Sequence, residues 1–171
     1  MNIVSVADIP KGEDVPMDNL FKVYNVCMQL QALCEQENGI GIAAVQAGIP
    51  WRLFLVKLKK FPDKEDSESH YEYYLNCDFQ PKSPDKVLHI EGCLSLKTPK
   101  GKLRLFEVER YKSIEVNGYR LVIKEDELDV EHLVNYNVTG FYAAVFQHEI
   151  QHADQITIDQ IGKEKEFSRV F

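Results

Sequence analysis

A short stretch near the C-terminal end combines two histidines and a glutamate at a spacing that favours metal chemistry. It reads Gln-His-Glu-Ile-Gln-His and lies in an Ala-rich segment, which predicts a helix over about 141–155. At 3.6 residues per turn, His148 and His152 lie on the same face, and Glu149 is about 100° round from His148. In a His-Glu-x-x-His arrangement, two imidazoles hold a metal ion and the carboxylate moves a proton of a water molecule.

A third ligand is needed, and two cysteines compete for that role. Cys93 lies in the stretch Glu-Gly-Cys-Leu-Ser, where a glycine and a carboxylate precede it and a short strand-like pattern follows. Cys77 lies outside such a motif. A deprotonated thiolate is a favourable ligand for Zn²⁺ or Fe²⁺. We therefore expect Cys93 to complete the site, with Cys77 as the alternative.

The stretch Gly39–Gln46 alternates glycine with isoleucine and then carries two alanines. Small side chains let a backbone approach a ligand closely and leave its amide groups free to pair with it. Gln46 is the only polar side chain in the stretch. Two interpretations are open: a ligand-binding backbone that ends at Gln46, or a loop packed under the core with Gln46 as a satisfied amide.

Apolar residues at three- and four-residue spacing predict an amphipathic helix from Asp18 to about Glu37, with Asp18 as its N-cap. Cys27 and Cys34 are seven residues apart in this pattern, so we expect both to be buried. Thr139 is predicted to cap the helix that carries the two histidines.

The remaining chain reads mainly as strands. Trp51–Leu58 is apolar on both faces and predicts a strand buried on both sides, and Asn117-Gly118 predicts a hairpin turn. Residues 156–161 are predicted to return to the core as an extended segment. The order of elements predicts one domain over residues 1–171 of class α+β, with antiparallel sheets packed around a central metal-binding helix and with an N-terminal helix.

Composition argues against several classes of protein. The 171 residues are 44% hydrophobic and 27% charged, as in a soluble globular domain. The formal charge is −7 and no Lys/Arg block is present, so a nucleic-acid partner is not expected. No apolar run approaches the ~20 residues of a membrane span, and the N-terminus lacks the features of a signal peptide. We expect a cytoplasmic protein with free thiols and no membrane partner.

Taken together, the three motifs resemble those of the peptide deformylase family. The family motifs are Gly-x-Gly-x-Ala-Ala-x-Gln, Glu-Gly-Cys-x-Ser and Gln-His-Glu-x-Asp-His. The first two are present unchanged, and the third has Gln151 in place of Asp. The resemblance runs from the first helix to about residue 160. It implies a metal-dependent hydrolase that removes the N-formyl group from the N-terminal methionine of newly made polypeptides and releases formate.

The resemblance also implies a role for individual residues. The metal ligands would be Cys93, His148 and His152. Fe²⁺ would be the natural metal, with Zn²⁺, Ni²⁺ or Co²⁺ able to substitute. Glu149 would take a proton from the attacking water and deliver it to the leaving amine. The side chain of Gln46 and the backbone N–H of Leu94 would stabilise the oxyanion.

The implied substrate is an N-formylmethionyl peptide. Ile42, Val145, His148 and the backbone of Glu91 and Gly92 would surround its methionine side chain. Gly41 would bind the substrate through its backbone. The peptide beyond the methionine would pair with the backbone of residues 40–42 as an added strand. The family's Asp pairs with an arginine, so Arg110 is the expected partner of Gln151, with Glu109 able to supply the missing charge.

Many bacterial members of the family continue into a C-terminal helix that is linked to ribosome docking. The mixed-charge end from Gly162 onward does not predict such a helix, which leaves transient ribosome association open. Two other functions compete. Another metal-dependent amidase or metallopeptidase would take a later Glu or His as third ligand instead of Cys93. A non-enzymatic metal-stabilised binding protein would have no use for Glu149 as a base.

Overall fold

Eight strands form two antiparallel sheets in the computed structural model, which describes residues 1–61 and 63–166. In chain order the strands are Gly41–Ala43 (β1), Leu53–Lys59 (β2), Ser69–Pro81 (β3), Lys86–Lys97 (β4), Leu103–Tyr111 (β5), Ser113–Lys124 (β6), Glu127–Thr139 (β7) and Lys163–Glu164 (β8). The larger sheet has the order β1-β2-β3-β6-β7, and the smaller has the order β4-β5-β8.

Within residues 1–61 and 63–166, three α-helices accompany the sheets, at Leu20–Gln36 (α1), Gly140–Ala153 (α2) and Ile158–Ile161 (α3), with 3₁₀ turns at Val6–Asp8 and Ala44–Ala47. The described residues include no helix that is long and apolar enough to cross a membrane. The structure is thus a mixed α/β fold with antiparallel sheets and few helices.

The predicted helix caps are confirmed only in part: the N-cap residue of α2 is the predicted Thr139, but that of α1 is not Asp18. α1 begins later than expected, so its N-cap is Asn19 rather than Asp18, and the Asn19 side chain accepts the N–H of Lys22 at 3.0 Å. Thr139 occupies the N-cap position of α2 but makes no capping hydrogen bond with its side chain. The backbone N–H of Gly140 donates instead to the carbonyl oxygen of Lys112, at 3.0 Å.

The C-terminal segment also differs from the prediction. Residues expected to be extended form the short helix α3, in which Ile158 is buried and Ile161 is 45% exposed. The mixed-charge end is described only as far as Glu166, where β8 has already joined β5. Residues 167–171 lie outside the described chain, as does the part of the ribosome-docking question that falls on them.

The larger sheet is covered on both faces, as the apolar run in β2 predicts. Successive side chains of a strand point to opposite faces. Leu53 and Leu55 therefore pack in a cluster with α1, which includes the buried Cys27 and Cys34. Phe54 and its strand neighbour Val56 pack instead with α2. The free, buried state expected for Cys27 and Cys34 is confirmed.

Three aromatic rings fix α2 on the larger sheet. Phe146 of α2 lies edge-on to Tyr74 of β3 at 4.7 Å and to Phe54 of β2 at 5.4 Å, and the latter two rings stack at 5.1 Å. Such pairs prefer offset or edge-to-face geometry, which orients as well as stabilises. α2 also contacts β5 of the smaller sheet, so its two histidines lie where the sheets meet.

The hairpin predicted at Asn117-Gly118 is wrong, because β6 runs through these two residues with only a shift of register. A Cβ atom at Gly118 would lie 2.6 Å from Sγ of Cys77, so the glycine serves close packing of β3 against β6. The turn to β7 lies at Glu125-Asp126 instead, with φ of 49° and 63°. A two-residue turn with positive φ matches the twist of the flanking strands.

Candidate active site

Strand β4 carries Cys93 and helix α2 carries His148 and His152, and the fold brings the three side chains together. Each offers one ligand atom, and the three atoms lie within 4.8 Å of one another. Sγ of Cys93 is 3.6 Å from Nε2 of His152, and the two imidazole centroids are 4.7 Å apart. All three side chains are buried. Cys77 lies elsewhere in the core, with its Sγ 3.5 Å from the carbonyl oxygen of Leu75, and does not join the cluster.

The place of Cys93 depends on an irregularity in β4. Strands β4 and β5 pair regularly up to Gly92 and resume only at Lys97, so residues 93–96 bulge out of the ladder. Bulges next to active sites turn side chains in new directions and release backbone groups from pairing. Here the bulge directs Cys93 to α2 and leaves the N–H of Leu94 outside the β4–β5 register.

Glu91 orients the ring of His148. Its Oε1 is 2.8 Å from Nδ1 of His148, and its two oxygens accept hydrogen bonds from Arg110 at 2.8 and 2.7 Å. With Nδ1 engaged by a carboxylate, Nε2 is left for a metal ion. Burial acts to raise the pKa of Glu91, but the hydrogen bonds from Arg110 and His148 outweigh it and lower the pKa to about 2. The sequence predicted a role only for the backbone of Glu91; its place two residues before Cys93 was the available signal.

Arg110 is 2% exposed and links Glu91 to the unusual Gln151. Its Nη1 donates to Oε1 of Gln151 at 2.6 Å, which confirms the predicted pair. The expectation that Glu109 balances the charge is wrong, because strand alternation turns Glu109 outward to solvent. Glu91 carries the balancing charge, so a neutral Gln151 leaves no net charge buried around Arg110.

Arg110→Met is expected to lower the free energy of unfolding by about 3–5 kcal/mol, because the buried carboxylate of Glu91 loses its cation. Urea denaturation measures this, with a chelator in every sample so that metal binding does not contribute. Arg104→Met is the matched control: Arg104 pairs with Glu164 at the surface at 2.8 Å, where an ion pair stabilises far less. Equal losses in both variants would contradict the role of Arg110.

Gln147 anchors α2 to the end of β5. Its Nε2 donates to the carbonyl oxygen of Tyr111 at 2.9 Å, and its Oε1 accepts the N–H of Tyr111 at 3.0 Å. A side-chain amide that pairs with both backbone groups of one residue acts as a short piece of strand ladder. It fixes the position of α2 one residue before His148. The sequence motif contains Gln147, but no local pattern indicates its partner.

Glu149 lies in the wall of the cleft, one residue after His148. It is 5% exposed, and among the described residues its Oε2 is buried with no hydrogen-bond partner. The pKa of Glu149 is raised to about 7, mainly by burial and also by the charge of Glu91, against the opposing effects of His148 and Arg110. A carboxylate in such surroundings accepts a proton readily, as general base catalysis near neutral pH requires.

Gln46 combines both interpretations that its sequence left open. Its Oε1 accepts the N–H of Ala43 at 3.0 Å, so this side of the amide is satisfied within the 3₁₀ turn. Its Nε2 lies 3.4 Å from Sγ of Cys93 and 3.3 Å from Oγ of Ser95. The amide is 1% exposed but borders the cleft, and it presents a donor beside the three candidate ligands.

A cleft of about 230 Å³ opens beside these groups. Five of the six predicted substrate-binding residues line it, namely Gly41, Glu91, Gly92, Val145 and His148. The side chain of Ile42 does not. It is fully buried in the cluster with α1, because alternation along β1 turns it away from α2. The expectation that the Ile42 side chain borders the substrate pocket is therefore corrected.

The three candidate ligands fit a divalent metal ion. One thiolate and two imidazoles suit Zn²⁺ or Fe²⁺, and three protein ligands leave one coordination position open. Burial holds the pKa of His152 well below its usual range, so its imidazole is neutral and able to ligate. Nε2 of His152 is the nitrogen that faces Sγ of Cys93, and within the described chain the other ring nitrogen, Nδ1, is buried without a partner.

Residues 11–167 match the family model of polypeptide deformylases. The chain belongs to the polypeptide deformylase family. A peptide deformylase from Afipia carboxidovorans is 34% identical over 128 residues, which are 74% of this chain and 65% of that protein. One from Desulforudis audaxviator is 32% identical over 135 residues, which are 79% of this chain and 74% of that protein. The match thus spans less than two thirds of the length of the first protein and about three quarters of that of the second.

Solved deformylase structures share the fold. The probable peptide deformylase of Synechococcus phage S-SSM7 superposes with a TM-score of 0.74 at 27% identity, covering 94% of this chain and 99% of that one. A Plasmodium falciparum peptide deformylase gives a TM-score of 0.70 at 22% identity, covering 94% and 86%. The family predicted from the three motifs is confirmed.

Proposed function

We propose that this chain is a metal-dependent hydrolase that removes the formyl group from N-formylmethionyl peptides and releases formate. The observation that carries the proposal is the convergence of Cys93, His148 and His152 within 4.8 Å, with Glu149 in the wall of the same cleft. A structural metal site has four protein ligands and no need of a base. A site with three ligands and an adjacent carboxylate is suited to hydrolysis.

The metal ligands in this proposal are Cys93, His148 and His152, so that α2 is a central metal-binding helix of one catalytic domain over residues 1–171. Fe²⁺ is the proposed natural metal, with Zn²⁺, Ni²⁺ or Co²⁺ as substitutes, because a thiolate with two imidazoles suits several of these ions. When bound, a divalent ion supplies Lewis-acid polarisation and lowers the pKa of water. The Glu91–His148 hydrogen bond holds one ligand in its orientation.

Proton transfer is assigned to Glu149. Its carboxylate accepts a proton from the attacking water and delivers it to the nitrogen of methionine as the C–N bond to the formyl carbon breaks. Burial favours the protonated form of this carboxyl, which supports a group that both takes up and gives back a proton. No second acid is required, because one carboxyl can serve both steps.

Two donors are proposed to stabilise the negative charge that develops on the formyl oxygen. The first is Nε2 of Gln46, which lies 3.4 Å from Sγ of Cys93 and so borders the reacting centre. The second is the backbone N–H of Leu94, which the bulge in β4 leaves outside the ladder. Donors fixed in advance at a developing oxyanion contribute much of the rate enhancement in acyl transfer.

The cleft supports a small acyl group with an apolar side chain beside it. Val145, Gly92 and Glu91 line its walls. Among the described strands, β1 pairs only with β2. Its other edge, including the backbone of Gly41 and Ile42, is therefore available to a peptide that adds as a strand. A cytoplasmic location belongs to this proposal because its substrates are newly made polypeptides.

The proposal is tested by the products formed from formyl-Met-Ala-Ser. The protein, reconstituted anaerobically with Fe²⁺, is expected to yield formate and intact Met-Ala-Ser, as mass spectrometry of the reaction will show. Cleavage between methionine and alanine would instead support the competing metallopeptidase. Acetyl-Met-Ala-Ser is the matched substrate control, and it should react far more slowly because the acetyl methyl needs additional room beside the ligands.

A further inference from the structure

We propose that Gly41 is a positioning residue, whose missing side chain determines where the carboxylate of Glu149 lies against β1. The proposal rests on the proposed function, because it concerns Glu149 as the group that moves the proton. It adds a role for Gly41 that is separate from any backbone pairing with a peptide substrate.

The distances leave no room for a side chain at residue 41. A Cβ atom built on Gly41 would lie 2.9 Å from Oε1 and 3.2 Å from Cδ of Glu149. Carbon atoms that are not bonded pack at about 3.5–4.0 Å, so a methyl group there conflicts with the carboxylate. The direction follows from strand alternation, which turns residue 41 to α2 and Ile42 to α1. Glu149 therefore occupies the space that a side chain on β1 would fill.

The backbone of β1 has no need of a glycine at this position. The φ of Gly41 lies outside the left-handed region, in contrast to Gly48 at +77° and Gly140 at +66°. Gly41 is paired in the strand ladder with Val56. Any L-residue adopts that conformation, so the property that matters at residue 41 is the absence of a Cβ atom.

The carboxylate of Glu149 is held by packing. Within the described chain it makes no hydrogen bond, and its Oε2 is buried without a partner. A side-chain end that is not hydrogen-bonded moves more easily than backbone. The other close neighbour of the built Cβ is the backbone carbonyl oxygen of Leu55 at 3.1 Å, and strand pairing holds this oxygen in place within β2. A methyl group at residue 41 is therefore expected to displace the carboxylate and to harm turnover more than folding.

The test is a double-mutant cycle of Gly41→Ala with Glu149→Asp, read by kcat and KM of formate release, bound metal and Tm. Gly41→Ala alone should keep its metal and its KM and lose about 10- to 100-fold in kcat, as misplaced catalytic groups do. Aspartate is one methylene shorter than glutamate, so its carboxylate would lie farther from the methyl group of residue 41. Glu149→Asp should therefore cost at least about tenfold less in the Gly41→Ala background than in the wild type.

Gly39→Ala is the matched control, because it crowds the same stretch and the three atoms nearest to its Cβ do not belong to Glu149. Its Cβ atom would lie 3.0 Å from Sγ of Cys34 and 3.1 Å from Cδ1 of Leu94. Its effect on kcat should add to that of Glu149→Asp without coupling.

Additive effects of Gly41→Ala and Glu149→Asp, or a raised KM with unchanged kcat, would overturn the inference, since the methyl group would then act on the substrate or on the strand. If Gly41→Ala does not fold, the double variant should regain folding, and its failure to do so would equally overturn the inference. Wild-type protein that releases no formate would refute the proposed function instead.

Discussion

Glu149→Gln is expected to retain its bound metal and to lose about 10²- to 10⁴-fold in kcat for formate release. The amide has the size of the carboxylate but has no basicity, so it cannot accept the proton of water. The carboxylate makes no hydrogen bond within the described residues, and its replacement therefore leaves the ligands Cys93, His148 and His152 undisturbed. The measurement is kcat together with metal content on the same preparation.

Glu109→Gln is the control for this substitution, because Glu109 lies on the exposed face of β5. It should turn over formyl-Met-Ala-Ser at the wild-type rate. If Glu149→Gln keeps more than a tenth of wild-type kcat with full metal, another group moves the proton and the proposed role of Glu149 is wrong.

Cys93→Ala is expected to lose nearly all bound metal and, with it, all measurable activity. The thiolate is the only anionic member of the three candidate ligands, and two neutral imidazoles alone hold a divalent ion weakly. Cys93 lies in the bulge of β4, whereas both histidines lie on α2. The loss of Cys93 therefore removes the one candidate ligand that the smaller sheet provides. Elemental analysis after gel filtration measures the metal per chain.

Cys77→Ala gives a closely matched control, since both cysteines are buried and both substitutions remove one sulfur. Cys77 packs in the core near Gly118, where its loss creates a cavity and lowers Tm. It should keep one metal per chain and wild-type kcat. Metal loss from Cys77→Ala with retention by Cys93→Ala would reverse the assignment of the third ligand.

Much of the candidate site follows from local sequence because each motif carries its own chemistry. The spacing of His148 and His152 is a property of any helix, and the glycine-rich stretch before Gln46 is visible without a fold. Contacts between distant segments are different. No periodicity links Glu91 to His148, and the contact depends on how β4 approaches α2. Contacts of this kind follow only from tertiary packing.

The fold divides in the same way. α1 and β2 follow from apolar spacing, because a helix and a strand each bury the side chains that recur with their own period. The hairpin at Asn117-Gly118 fails because the same residue pair also suits a register shift, and the close approach of Cys77 to Gly118 decides between them. The turn propensity of two residues is a weak signal where close packing against a neighbouring strand also requires the glycine.

The pair of Arg110 and Gln151 lies between these extremes. The departure from the family motif identifies Gln151, and a buried polar side chain must find a partner, so Arg110 was predicted correctly. The charge balance was not, because Glu109 is near Arg110 in sequence and Glu91 is near it only in space. Sequence distance misleads wherever a sheet brings two strands together.

Formate release measured against bound metal tests the central claim most directly. Apoprotein is titrated anaerobically with Fe²⁺, and the rate on formyl-Met-Ala-Ser is plotted against metal per chain. The rate should rise in proportion to bound metal and reach its plateau at about one ion per chain, as three ligands with one open position predict. Absence of formate at saturating Fe²⁺, Zn²⁺, Ni²⁺ and Co²⁺ alike would contradict the proposal that this cleft is a deformylase active site.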